Sequence, residues 1–265
     1  MNDFKDKVIW ITGASSGIGE ALALEFARRE ARLILSSRRG DELRRVAQLT
    51  GLAELDLLIL PFDLKDTSNA SGLAANVMNK FGRIDMLINN GGYSQRSEAI
   101  ETSEAIDREL MEVNYFSYVN LTKAVLPYMK RQKIGHIIVI SSIAGKFGFY
   151  LRSSYSAAKH ALHGYFESLR LETEKLGIKT LIVCPGKIKT KVSINAVTKE
   201  GNKHGQMDVS HQNAMSAEEC AKQIISAIQR NREEILIGGR ELMILKIRKF
   251  LPGLFSKIIR KQSPY

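Results

Sequence analysis

Thr12-Gly13-Ala14-Ser15-Ser16-Gly17-Ile18-Gly19 follows the apolar run Val8-Ile9-Trp10-Ile11 and leads into Ile18 to Arg29, where apolar residues recur at helical spacing. A buried strand, a glycine-rich turn and a helix in that order direct backbone N–H groups and a helix N-terminus toward an approaching anion. Gly13, Gly17 and Gly19 lack the G-x-G-x-x-G spacing. They still provide a tight turn and close backbone approach to a pyrophosphate. Ser15 and Ser16 add hydroxyl donors. Taken alone, the glycines fit an ordinary strand-to-helix connection equally well.

The rhythm continues outward. Leu33–Leu35, Leu57–Leu60, Asp85–Ile88, His136–Ile140, Thr180–Val183 and Glu234–Ile237 read as further strands, the last at an edge. Between them Asp41–Leu49, Ala70–Phe81, Ser103–Arg131, Tyr155–Leu176 and Ala217–Ile228 read as helices, with a kink expected at Pro127. Strands alternating with helices predict an α/β fold: a Rossmann-like, doubly wound parallel sheet of about seven strands with helices on both faces. Residues 1–241 form one domain in this reading. Within it the polar, aperiodic stretch 187–215 is a substrate lid, and 242–265 is a C-terminal tail.

Tyr155-Ser156-Ala157-Ala158-Lys159 puts a phenol and an ammonium one helical turn apart. An unperturbed phenol has a pKa of about 10. A neighbouring cation stabilises phenolate and is expected to lower it, making Tyr155 an acid in reduction and a base in oxidation. Joined to the glycine turn, the pair points to a nicotinamide dinucleotide and to carbonyl reduction or alcohol oxidation. The second strand ends in Ser36-Ser37-Arg38-Arg39, without the acid that would accept from a ribose 2′-OH. Guanidinium suits a 2′-phosphate, so NADP(H) is the expected cofactor.

With those residues in order, the chain resembles a single-domain short-chain dehydrogenase/reductase over about residues 5 to 240. Thr12 to Gly19 matches the family's T-G-x-x-x-G-x-G, and Asn89-Asn90-Gly91-Gly92 resembles N-N-A-G with Gly91 in place of alanine. Asn114, Ser142, Tyr155 and Lys159 match its catalytic tetrad, and Pro185, Gly186 and Thr190 match P-G-x-x-x-T at the nicotinamide end. The resemblance implies that Ser142, chosen over Ser141, binds the substrate oxygen. It implies that Lys159 also binds the nicotinamide ribose and that Asn114 holds a water leading to solvent. Asp63 resembles the aspartate that meets the adenine amine, and Asn90, Gly91 and Ile188 join the expected cofactor contacts. Lys187 departs from the bulky apolar residue or proline usual after Pro-Gly.

Phe147, Phe149, Tyr150 and Tyr93 lie near these segments and fit two roles equally well, part of the core or the lining of an apolar pocket for a steroid-, retinoid-, lipid- or xenobiotic-like carbonyl or alcohol. His204 and His211 have no metal-site spacing, and no metal is expected. Cys184 and Cys220 form no disulfide framework. The polar N-terminus has no signal-peptide character, and no apolar run nears the roughly 20 residues of a membrane span. The reading is therefore a cytoplasmic protein in a reducing compartment.

Of the net charge of +11, six units lie in the tail, on Lys246, Arg248, Lys249, Lys257, Arg260 and Lys261, with no acid among them. The excess is thus not a nucleic-acid footprint spread over the domain. The tail resembles that of a membrane-associated subgroup of the family. Residues 242–261 are expected to contact an anionic membrane peripherally, to pack on a partner subunit, or to fold back on the domain, as two short helices split at Pro252. A homo-oligomer, dimer or tetramer, is expected from the family. An epimerase or dehydratase reusing Tyr155 and Lys159, and a non-catalytic dinucleotide-binding module, are the competing functions.

Overall fold

A computed structural model describes residues 4–190, 196–202, 205 and 214–261. His204, His211 and much of the expected lid lie outside the described residues. The strands are β1 (Val8–Thr12), β2 (Arg32–Ser36), β3 (Leu57–Ile59), β4 (Met86–Asn89), β5 (Gly135–Ile140), β6 (Ile178–Pro185) and β7 (Glu234–Ile237). They form one parallel sheet in the order β3-β2-β1-β4-β5-β6-β7. The connections reverse direction between β1 and β4, which pair through Ile9–Met86, Trp10–Leu87 and Ile11–Ile88. In such sheets the crevice at that reversal, beyond the carboxyl ends of the strands, receives the ligand.

The apolar runs alternate between two cores, as a period of two requires in a sheet covered on both faces. Ile9 and Ile11 of β1 pack with Leu22, Phe26 and Ile224, on helices α1 (Gly17–Ala27) and α7 (Ala217–Gln229). Val8 and Trp10 face the opposite way, toward Val77, Leu121 and Phe166. These belong to α3 (Ala70–Phe81), α5 (Ser117–Gln132) and α6 (Ser153–Thr173). The remaining domain helices are α2 (Gly40–Thr50) and α4 (Glu104–Met111).

The helix expected over 103–131 is interrupted, but not at Pro127. A π-helical turn, Glu112–Phe116, separates α4 from α5 and contains Asn114, and α5 continues through Pro127. Such turns bulge a helix and are frequent at functional sites. The tail forms α8 (Met243–Phe250) and α9 (Pro252–Arg260). Pro252 sits in the first turn of α9, where its missing N–H has no helical partner to lose.

Candidate active site

The glycine turn closes on the end of β4 through Thr12 and Asn90. Thr12 Oγ1 donates to the Ile88 carbonyl at 3.2 Å and accepts from the Asn90 and Gly91 amides at 2.9 and 3.1 Å. Asn90 Nδ2 donates back to the Thr12 carbonyl at 2.9 Å. Gly13 and Gly17 have φ of +66° and +59°, where a side chain is strained. A Cβ on Gly13 would also stand 2.6 Å from the Gly91 Cα, and one on Gly17 3.2 Å from the Thr190 methyl. The bare turn is therefore a cradle walled by Asn90, Gly91 and Thr190, a fit for a pyrophosphate at the N-terminus of α1. Gly91 has its own reason: a Cβ there would lie 2.5 Å from Leu64 Cδ1.

Arg39 reaches into this cradle, its guanidinium 3.1 Å from Ser15 Oγ and 3.4 Å from Ser16 Oγ. Arg38 is exposed and stands 3.9 Å from the Asp63 carboxylate. Tyr93 carries a polar partner at its tip. Its hydroxyl donates to Glu109, which also pairs with Lys65 at 2.7 Å. Ile18 is part-buried against the core, and Ile188 is buried within it.

At the carboxyl end of β5 the two serines part company. Ser141 is buried, its hydroxyl donating to the Lys159 carbonyl at 3.2 Å and lying 3.2 Å from His163 Nε2. Ser142 is part-exposed, and its hydroxyl lies close enough to Tyr155 to lower the phenol's pKa. Lys159 is buried on the same face of α6, its ammonium donating to the Ile140 carbonyl at 2.9 Å. That ammonium lies 5.1 Å from the Tyr118 ring centre and 5.8 Å from that of Tyr155. Asn114 is fully buried and donates to the carbonyls of Tyr93 and Leu110 at 3.1 and 3.0 Å. Its Oδ1 has no protein partner and stands over Gly92, where a Cβ would be 2.5 Å away.

The expected lowering of the Tyr155 pKa by Lys159 is reversed. Burial pushes the phenol up, and the influences that lower it are the nearby Ser142 hydroxyl and the Arg152 charge. Burial also pushes Lys159 down to about 7, which removes much of the cation that the expectation relied on.

Two further groups support the site from behind. Glu241 accepts from the Lys187 and Gly239 amides, both at 3.0 Å. Its carboxylate stands 2.6 Å from where a Cβ would sit on Gly186 or Gly238, so a side chain at either position would have to displace it. The backbone of Lys187, the residue that departs from the family pattern, is thus held by the root of the tail. His163 lies 3.6 Å from Cys184 Sγ and 3.3 Å from the Lys146 ammonium, which pairs with Glu234 at 2.6 Å. Cys184 is pushed up to about 12 by burial, so it stays a thiol. His163, Cys184 and Glu234 are close enough to suggest a metal, but the Lys146 ammonium already occupies the acid side of the group. Phe147 is buried between Phe149 and Phe255 of the tail, at centroid distances of 4.4 and 5.3 Å, while Tyr150 is exposed.

Of the expected residues, the structure gathers Gly13, Ser15, Ser16, Gly17, Gly19, Arg39, Asn90, Gly91 and Thr190 around the turn. It gathers Asn114, Ser142, Tyr155 and Lys159 beside it. Pro185 ends β6, and Gly186 lies against Glu241. Gln95, Tyr118, Arg152 and Glu241 escaped sequence reading because only the tertiary fold brings them to the site.

Comparison with known proteins agrees with this geometry. The family model described as short chain dehydrogenase matches residues 7–201. The chain is 40% identical over 265 residues to Dehydrogenase/reductase SDR family protein 7-like of Anopheles gambiae, covering 97% of this chain and 83% of that one. It is 38% identical to Dehydrogenase/reductase SDR family member 7B of Mus musculus, with 98% and 82% covered. A crystal structure of a short-chain dehydrogenase from Streptomyces avermitilis superposes with a TM-score of 0.82 at 29% identity, covering 98% of this chain and 100% of that one.

Proposed function

This chain belongs to the short-chain dehydrogenase/reductase family, and from that premise we propose that it uses NADP(H) to interconvert a carbonyl and a secondary alcohol on an apolar substrate. The observation that carries the chemistry is the convergence of Ser142, Tyr155 and Lys159 beside the glycine cradle. Ser142 fixes the substrate oxygen, and Tyr155 delivers its phenolic proton to that oxygen in reduction or removes it in oxidation. Ser142 and Arg152 stabilise the charge that develops on the phenol. Lys159, held on the Ile140 carbonyl, holds the proton that replaces the one Tyr155 gives up. Asn114 orders a water linking Lys159 to solvent, through its unpartnered Oδ1. When bound, the nicotinamide supplies or accepts the hydride.

Arg39 and Arg38 support NADP(H) over NAD(H), since they put guanidinium groups at the ribose end of the cradle. Asp63, ion-paired to Arg38, sits at the adenine end of this reading. Lys187 to Met215 serves as the lid, and Ile188 and Thr190 anchor its start. The decisive experiment is a panel of carbonyls and alcohols followed by NADPH absorbance. Turnover of at least one apolar pair supports the proposal. Binding of NADPH without net turnover on any member points to an epimerase, a dehydratase or a binding module.

The tail supports a second element of the proposal, a cytoplasmic enzyme resting peripherally on an anionic membrane. Among the described residues no helix is long and apolar enough to cross a membrane. Yet Phe250, Leu251 and Leu254 are 71%, 55% and 46% exposed beside six cations. Anionic lipid takes up both the apolar and the basic side chains. Assembly as a homo-oligomer is separate and is supported by Phe116 and Leu171, apolar and exposed on the domain's outer helices.

A further inference from the structure

Gln95 is fully buried, three residues after the Asn-Asn-Gly-Gly turn, and it has no role in the chemistry above. Its Oε1 accepts from the backbone amides of Ser154 and Tyr155, at 3.0 and 3.3 Å. These amides open α6, whose own N-cap residue, Arg152, makes no side-chain cap. The first amides of a helix have no intrahelical partner, so Gln95 supplies from across the fold what a local cap usually supplies. Its Nε2 is fixed in turn by the hydroxyls of Thr102, Ser97 and Ser153, at 2.9, 3.2 and 3.3 Å. The amide's orientation is therefore set by a closed polar network around it.

The backbone on either side of Gln95 carries a second partner. The Val197 amide donates to the Ser94 carbonyl at 2.9 Å, and the Arg96 amide donates to the Val197 carbonyl at 2.7 Å. Gln95 and Val197 thus form a one-residue parallel bridge between the lid and the core. Ser94 Oγ also accepts from Arg152 at 3.2 Å, and the Tyr93 carbonyl accepts from Asn114. One extended segment, residues 93–96, touches Asn114, the helical turn bearing Tyr155, and the lid.

We infer that Gln95 is a positioning residue that sets the placement of Tyr155 and joins it mechanically to the backbone at Val197. The inference rests on the oxidoreductase reading for its effect on rate but not for its structural part. The bridge to Val197 fixes the 94–96 backbone, that backbone fixes the Gln95 amide, and the amide fixes the first turn of α6. A misplacement of about 1 Å in a proton donor is enough to lower turnover roughly 10²-fold.

The test compares Gln95→Leu and Gln95→Glu in the full-length protein. Leu removes both acceptor and donors. Glu keeps the acceptor for the two amides and lets the three hydroxyls turn to donate. In Gln95→Leu, hydrogen exchange at Ser154, Tyr155 and Val197 should accelerate together by at least about tenfold, while amides in the central strands stay protected. Its kcat should fall roughly 10²-fold with NADPH affinity unchanged. Gln95→Glu should recover protection and most of kcat. The limb of its pH profile that reports Tyr155 should move to higher pH, because a nearby anion disfavours phenolate.

A Leu variant with wild-type protection at Ser154 and Tyr155 overturns the inference, as does loss at those amides with Val197 untouched. If the Leu variant does not fold, an unmoved pH limb in the Glu variant overturns it instead. Should the wild-type protein turn over no substrate, the oxidoreductase reading fails, and the exchange measurements still decide this one.

Discussion

The Lys159 ammonium donates to the Ile140 carbonyl at 2.9 Å and stands 5.8 Å from the centre of the Tyr155 ring. Burial at that spot pushes its pKa down to about 7 from an ordinary value of 10.5. The sign of the resulting linkage is fixed. Below about pH 7 the ammonium is charged in both the folded and unfolded chains, and its burial penalty is present in full. Between about 7 and 10.5 the unfolded chain binds more protons than the folded one, so this group's contribution makes stability rise with pH. Thermal unfolding of wild type and Lys159→Met across that window checks it. The wild-type-minus-mutant difference in Tm should climb with pH, and a flat or falling difference refutes the assignment.

Tyr155→Phe keeps the ring and removes the transferable proton. Turnover should drop by at least about 10²-fold, with NADPH affinity retained. Steady-state rates on any active substrate, paired with a fluorescence titration of the cofactor, give both numbers. A Phe variant at near-wild-type rate removes Tyr155 as the acid.

Arg39 is the guanidinium nearest the cradle, bonded to Ser15 and Ser16. A charge-assisted hydrogen bond contributes about 1.5–3 kcal/mol, roughly tenfold or more in affinity. Arg39→Ala should weaken NADPH by about that factor and leave NADH nearly unchanged, with Arg38→Ala acting in the same direction. Equal losses for the two cofactors mean that the arginines do not read the 2′-phosphate.

Gly13→Ala and Gly91→Ala should behave differently. At Gly13 the new methyl meets positive φ and the Gly91 backbone, neither of which yields, so cofactor binding should be lost along with about 2 kcal/mol or more of stability. At Gly91 the nearest atom is the end of the flexible Leu64 side chain, and the loss should be about 1 kcal/mol. Leu64→Ala combined with Gly91→Ala should restore part of it, measured by denaturant unfolding. Strictly additive losses would show that Leu64 is not the obstacle.

For the tail, the full-length chain should sediment with anionic vesicles and release as salt rises. A chain ending at Leu242 keeps Glu241 on the Lys187 amide. It should stay folded, bind NADPH and remain in the supernatant. Full-length protein that ignores anionic vesicles at low salt assigns the tail to a protein interface.

The sheet and the two main motifs were legible because their signals are local. Val8 to Gly19 is a strand, turn and helix within a dozen residues, and Tyr155 and Lys159 share a face through the pitch of one helix. The residues that tune the site answer to tertiary neighbours. Nothing around Gln95 in the sequence says that it caps a helix starting at Ser153. Pro127 carries the sequence signal of a helix breaker, while the interruption at Glu112–Phe116 has no proline or glycine to mark it. The pKa of Tyr155 departs from the sequence expectation because spacing reveals which charges are near and is silent on how much water burial removes. Gly91 stands where the family pattern has alanine, and only the fold brings Leu64 against it.

Glu241 also defines where the protein can be cut and rejoined. Gly186 and Gly238 follow directly on adjacent strands, and one carboxylate fills the space that both leave open. The catalytic body therefore extends past the last strand of the sheet to this side chain, and α8 begins two residues later. Tails exchanged between relatives, or reporter domains fused in their place, should be joined after Leu242. A junction made at the end of β7 discards the acid that anchors Lys187, and the resulting chimera would lose activity for a reason unrelated to its new tail.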